Sequence, residues 1–246
     1  MVRRCDVLAI GAHPDDVELG CGGLVARLAA AGKTVGVVDL TAGELGTRGD
    51  VAARRAEAAA AAAALGVDWR ECLALPDGGL CADDAEQLAA LVRVLRTARP
   101  RAVLLPDGGD PHPDHRVAAA LAARACTWSA VRSWRPKTGA PHRPRLLLAY
   151  PGPRQVLAPV VAVDVTAWYA AKRAACAAHR SQFEPAAGPP THLASGHFLA
   201  AIEGRDRAVG NTIGVELAEA LAAVGALAAD ELTWLLAAGA IGDEGG

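Results

Sequence analysis

The chain has 246 residues, with 25 Lys and Arg against 27 Asp and Glu and a formal net charge of −2. That length supports one large domain with a substantial core. The near-neutral balance, with no basic stripe, excludes nucleic acid and anionic membrane as expected partners. The apolar run after Arg3 and Arg4 is too short for a signal peptide and no segment reaches transmembrane length, so the cytoplasm is the expected location.

Strand and helix signals alternate through the first two thirds. Residues 6–11 read as a strand and 22–31 as a helix, followed by a β-branched strand over 33–40. An alanine-rich helix over 51–65 ends at Gly66. A strand at 69–75 precedes a helix at 83–98 whose acidic first turn suits the helix dipole. Residues 101–105 form the next strand; a loop rich in Gly, Asp and Pro leads to a helix over 114–131. Beyond Arg132 come a basic, proline-bearing loop (134–144), strands at 146–150 and 160–165, and a helix at 168–179. A further loop (181–190) precedes helices at 195–209 and in the last thirty or so residues. This alternation predicts an α/β protein with a mainly parallel sheet and right-handed crossovers, its ligand site at the carboxyl ends of the strands.

Two short segments at such strand ends carry most of the functional information. They are Ala12-His13-Pro14-Asp15-Asp16-Val17-Glu18 and His112-Pro113-Asp114-His115. Imidazole and carboxylate together form a ligand set suited to zinc or a similar divalent ion. His13 and Asp16 are three residues apart, as are His112 and His115, so within a helical turn each pair projects from one face. His13, Asp16 and His115 could supply a facial set that leaves open positions for water and substrate. Asp15 would then be free as general base. His112 would lie opposite to stabilise an oxyanion or protonate a leaving amine, with Asp114 orienting an imidazole. The plainer alternative is that these residues are helix caps and turn formers. Two such clusters after parallel strands favour a metal-dependent hydrolase.

Other features have simpler explanations. Six scattered cysteines, with no Cys-x-x-Cys pair, read as reduced thiols. Cys21 reads as a small buried side chain rather than a ligand. Gly20-Cys21-Gly22-Gly23 lacks both phosphate-binding glycine spacing and a P-loop lysine, so close helix–sheet packing is expected there. Glu18 either hydrogen-bonds a ligand or sugar hydroxyl or is a helix glutamate favoured by the dipole, and Glu44, in a glycine-rich turn at a strand end, is expected at the site. His142, His179, His192 and His197 have no partner at ligand spacing and read as surface or packing residues, although the loop holding His192 could border the pocket.

The paired motifs resemble the signature of the PIG-L/LmbE-like zinc-dependent de-N-acetylases, which remove acetyl from N-acetylglucosaminyl conjugates. The resemblance implies a Rossmann-like three-layer sandwich with an additional C-terminal α/β segment. A single domain over 1–246 would comprise a metal-bearing part (1–132) and a segment completing the pocket (133–246). It also implies zinc on His13, Asp16 and His115 (Fe2+, Co2+ and Mn2+ being alternatives), with Asp15 as base and His112 as acid or oxyanion stabiliser. The blocks Thr41-Ala42-Gly43-Glu44-Leu45-Gly46-Thr47-Arg48-Gly49, Arg54-Arg55-Ala56-Glu57-Ala58 and Ser181-Gln182-Phe183 extend it, and Ile213-Gly214-Val215-Glu216-Leu217-Ala218-Glu219 carries it into the tail. The spacing Asp15-Asp16-Val17-Glu18 is most similar to the bacillithiol-biosynthesis branch, which acts on N-acetylglucosaminyl malate and implies a homo-oligomer. Pro111 departs from that branch, which often has an arginine there, and Leu217 replaces a frequent aromatic. Arg54 is then the candidate for a substrate carboxylate, against a solvent-facing helix arginine. The expected partner is a small N-acetylaminosugar. The alternatives are a mycothiol-type deacetylase, a thiol-conjugate amidase, a deacetylase tailoring an aminosugar natural product such as an antibiotic, and a non-catalytic metal- or sugar-binding module.

Overall fold

A computed structural model of the chain describes residues 1–237. In chain order the elements are β1 (Val7–Gly11), α1 (Asp16–Ala30), β2 (Val35–Thr41), α2 (Val51–Leu65), β3 (Trp69–Leu75), α3 (Ala85–Ala98), β4 (Ala102–Pro106) and α4 (Pro113–Ser129). They continue with β5 (Leu146–Tyr150), β6 (Val161–Asp164), α5 (Tyr169–Ala178), α6 (Arg180–Phe183), α7 (Phe198–Ile213), β7 (Ala218–Ala223) and α8 (Ala229–Leu236). Local chemistry sets several ends. Asp50 caps α2 by accepting from the Ala53 N–H at 2.7 Å, and Gly66 closes it at a φ of 72° that a side chain would disfavour. Asp84 caps α3 through the N–H groups of Glu86 and Gln87.

The strands form one seven-stranded sheet in the order β3-β2-β1-β4-β5-β7-β6. β3 to β5 are parallel, and β7 runs antiparallel to both β5 and β6. Strands from both parts of the chain share it. Helices α1, α2 and α5 pack together on one face, α3 and α4 on the other. The strand pleat feeds both layers: Val7, Ala9 and Leu104 enter one core, Leu8, Ile10 and Leu105 the other. From β1 the chain proceeds outward to β2 and β3, then returns to place β4 on β1's other side. That switch opens a crevice beyond the carboxyl ends of β1 and β4. No helix among the described residues is long and apolar enough to cross a membrane.

The helix expected from about residue 22 starts there, but a first helical piece from Asp16 precedes it, the two joined through Cys21 (φ −146°, ψ 24°), which lies outside helical geometry. One expectation needs correction. The tail expected to be helical contains β7, whose alanines and glutamate favour a helix but are drawn into the sheet between two strands. Among the described residues only α8 follows it, after non-helical residues 224–228, and the remainder of the expected helix, 238–246, lies outside them.

At the break in α1, the Glu219 carboxylate on β7 accepts from the Gly23 and Leu24 N–H groups at 2.9 and 2.7 Å. Lys172 joins Glu219 (2.6 Å) to Asp206 (2.7 Å) in the same buried cluster. Here the protein's own carboxylate occupies the helix-start position that an anion could take. Gly20 is forced by close approach: any side chain would strike the Tyr150 ring.

Candidate active site

β1 and β4 end side by side, so the two motifs meet. The His13, His112 and His115 ring centroids lie 4.6–5.4 Å apart. Asp16 opens α1 and reaches both other proposed ligands: His13 Nδ1 is 3.6 Å from its Oδ2, and His115 Nε2 is 3.2 Å from Oδ1. Each imidazole is held on its far side by carboxylate. His13 Nε2 faces Asp77 Oδ1 at 3.1 Å and Asp114 Oδ2 at 3.4 Å, and His115 Nδ1 faces Asp110 Oδ2 at 3.0 Å. A carboxylate there takes the N–H, leaving the lone pair of the other nitrogen turned inward. The inward donor atoms of His13, Asp16 and His115 form one group within 4.8 Å of one another, which fits a divalent cation. A second possible group uses His13, His112 and Asp114. It is the poorer one, because Asp114 Oδ2 already accepts from the Gly78 N–H at 2.8 Å.

Charge distribution gives the same result. Burial alone would push the His13 imidazole down, but Asp114, Asp16 and Asp77 outweigh it and lift its pKa to about 12. His115, opposed by burial in the same way, is raised to about 10 by Asp16 and Asp110. The cluster therefore calls for positive charge, which protons or a metal ion can supply.

Asp15 flanks this group in a strained backbone, with φ at 146°. Its side chain makes no cap hydrogen bond, so capping does not explain it. Burial raises its carboxyl above the ordinary range against the pull of Arg54, whose Nη2 is 3.6 Å away. His112 caps α4, its Nδ1 accepting from the Asp114 N–H at 3.3 Å. In the neutral ring the proton then sits on Nε2, where it can be donated. Burial, then the neighbouring His115 and His13, lowers the His112 pKa.

These groups line a cavity of about 630 Å³ whose outer wall includes Leu45, Pro111, Pro153, Leu193 and Phe198. Arg54 reaches it from a buried position on α2, not as a solvent-facing arginine. Its guanidinium donates to Gly43 O at 2.8 Å and Pro14 O at 3.2 Å, tying together the loops after β1 and β2. Glu18 and Glu44, expected at the substrate, are not on the wall. Glu18 is fully buried behind it, paired with Arg70 and 3.5 Å from His179. Glu44 accepts from the Asp77 N–H at 2.8 Å and so braces the turn carrying that aspartate. Asp77, Asp110 and Gln182 are site residues that the motifs did not reveal. His179 is a packing residue, as expected, but one against a carboxylate. The loop holding His192 borders the cavity through Leu193. All six cysteines are free, and Cys21 is buried at the helix break.

Known proteins share this architecture. A family model described as PIG-L, GlcNAc-PI de-N-acetylase, matches residues 8–126. A Streptomyces avermitilis protein named 1D-myo-inositol 2-acetamido-2-deoxy-alpha-D-glucopyranoside deacetylase is 32% identical over 243 residues, covering 72% of this chain and 83% of that protein. The chain belongs to the PIG-L family. The conserved protein TT1542 from Thermus thermophilus superposes with a TM-score of 0.82 at 38% identity, over 91% of this chain and 96% of that one. The N,N'-diacetylchitobiose deacetylase from Pyrococcus horikoshii, complexed with its inhibitor, gives 0.78 at 26% identity over 94% and 86%. PIG-L membership makes this a deacetylase-family chain. These relatives do not single out the bacillithiol branch.

Proposed function

We propose that the protein hydrolyses the acetamide of an N-acetylglucosaminyl conjugate, using a divalent ion, zinc first, held by His13, Asp16 and His115. The observation that carries this reading is the inward-facing donor set, each imidazole backed by carboxylate, with Asp15 and His112 beside it. Bound zinc supplies Lewis acidity toward the acetyl carbonyl and toward water. Asp15 takes the proton of the attacking water as the oxygen adds to the acetyl carbon. His112 donates from Nε2 to the oxyanion that develops. The C–N bond then breaks, the proton passes to nitrogen, and acetate and a free amine leave. A binding module would need neither Asp15 nor His112.

N-acetylglucosaminyl malate is the proposed substrate, on the motif spacing; the name of the Streptomyces relative supports the inositol conjugate as the second candidate. The test is acetate and amine release from both by zinc-loaded protein. Asp15→Asn should keep its zinc and lose roughly a hundredfold or more in kcat, whereas His13→Ala should lose the metal. No acetate from any N-acetylglucosaminide would overturn the reading.

A further inference from the structure

We propose that Arg154 is a specificity-determining residue that grips an anionic group, a carboxylate or phosphate, on the part of the substrate beyond the sugar; this rests on the deacetylase reading above. The cavity carries two arginines, Arg54 and Arg154. Arg54 is buried, its two terminal nitrogens donating to Gly43 O and Pro14 O beside Asp15 while its Nε has no hydrogen-bond partner. It braces the inner end of the cavity, next to the proposed base. Arg154 is exposed at the mouth, and among the described residues it pairs with no carboxylate and donates to no carbonyl.

The carboxylates of this cavity have other partners, Asp15 facing Arg54 and Asp16 facing His13 and His115. Asp110 serves His115 and the His112 N–H, Asp114 serves His13 and Gly78, and Asp77 serves His13 and the Leu45 N–H. Leu45, Pro111, Pro153, Leu193 and Phe198 of the same lining carry no charge. One guanidinium without a partner carboxylate therefore remains on the cavity lining.

Its loop is braced rather than loose. The Gly152 N–H donates to Gln155 Oε1 at 3.1 Å, and the Gln155 amide holds Asp107. Arg205 donates to Gly152 O at 3.2 Å. Gly152 also lies so close to Asp110 that any side chain there would strike its carboxylate. The loop is thus registered against the group that holds His115. A planar guanidinium at such a position meets carboxylate or phosphate oxygens bidentately.

The test compares kcat/KM of zinc-loaded protein on three probes that share the acetamido sugar. They are the neutral methyl glycoside, N-acetylglucosaminyl malate and N-acetylglucosamine 1-phosphate, the latter two distinguishing carboxylate from phosphate. Wild type should favour at least one anionic probe over the neutral one. Arg154→Ala should lower that anionic-to-neutral ratio about fivefold, the scale of an exposed ion pair. Arg154→Lys should recover part of it, and half-molar salt should compress the wild-type ratio. An anionic-to-neutral ratio that is one in wild type, or unmoved in Arg154→Ala, overturns this inference while acetate release keeps the deacetylase reading. No acetate from any probe brings both down.

Discussion

Behind each proposed histidine ligand stands a carboxylate: Asp77 and Asp114 for His13, Asp110 for His115. Such partners fix which ring nitrogen carries the proton and how the ring is aimed. We predict that Asp110→Asn and Asp77→Asn each weaken zinc binding roughly tenfold to a hundredfold, read by competition with a chelator. Wild-type affinity in both would sink that assignment. The motifs displayed the inner residues because each lies beside its partner in sequence. Asp77 sits 64 residues from His13 in a Pro-Asp-Gly turn, where aspartate has an ordinary turn-forming role. Nothing in its spacing connects it to the proposed metal ligands. Glu18 misled for a helical reason: two residues beyond Asp16 on a helix means about 200° of rotation, onto the opposite face.

At the scale of elements, α1 is two helical pieces joined through a residue outside helical geometry, and Glu219 supplies the acceptor that the second piece requires. Removing it strips two buried N–H groups and leaves Lys172 with Asp206 alone. We predict that Glu219→Ala destabilises the fold by about 3 kcal/mol or more, lowering the thermal midpoint by roughly 6–12 °C. A midpoint within a degree of wild type would refute the capping role. The Gly20–Gly23 run signalled close packing at this point, and Gly20 against Tyr150 is that packing. β7 was illegible for the opposite reason. Its Ala-Glu-Ala-Leu-Ala-Ala has the composition of a helix, and only neighbouring strands with open edges decide otherwise. β1, β2 and β4 were readable because both of their faces are buried, which writes them as largely apolar runs.

For the molecule as a whole, the buried charges behind the site tie acid stability to the fold. Burial would raise the Glu18 carboxyl, but Arg70 and His179 prevail and hold it at about 2, below its ordinary 4.5. A carboxyl lowered in the folded state stabilises fully above its unfolded pKa, and that stability is lost as pH falls from about 4.5 toward 2. The contribution is on the order of 3 kcal/mol. Asp39, pushed upward by burial against the same guanidinium, offsets part of it. Urea unfolding of wild type should therefore weaken steeply between about pH 5 and pH 3. Glu18→Gln should flatten that slope, and an equally steep slope in the variant would exclude Glu18 as its origin.

The seat of Glu219 has a consequence for the order of synthesis. Asp16 belongs to a helix near the start of the chain, yet that helix receives its internal acceptor from a strand made about two hundred residues later. A nascent chain paused before β7 can pair its first strands and bring both histidine motifs together, but it lacks the carboxylate that secures α1. Firm placement of Asp16, a proposed metal ligand, should thus arrive late, once β7 clears the ribosome. A chain prematurely terminated ahead of that strand would be an incomplete sheet with a loosened first helix, rather than a smaller version of the fold.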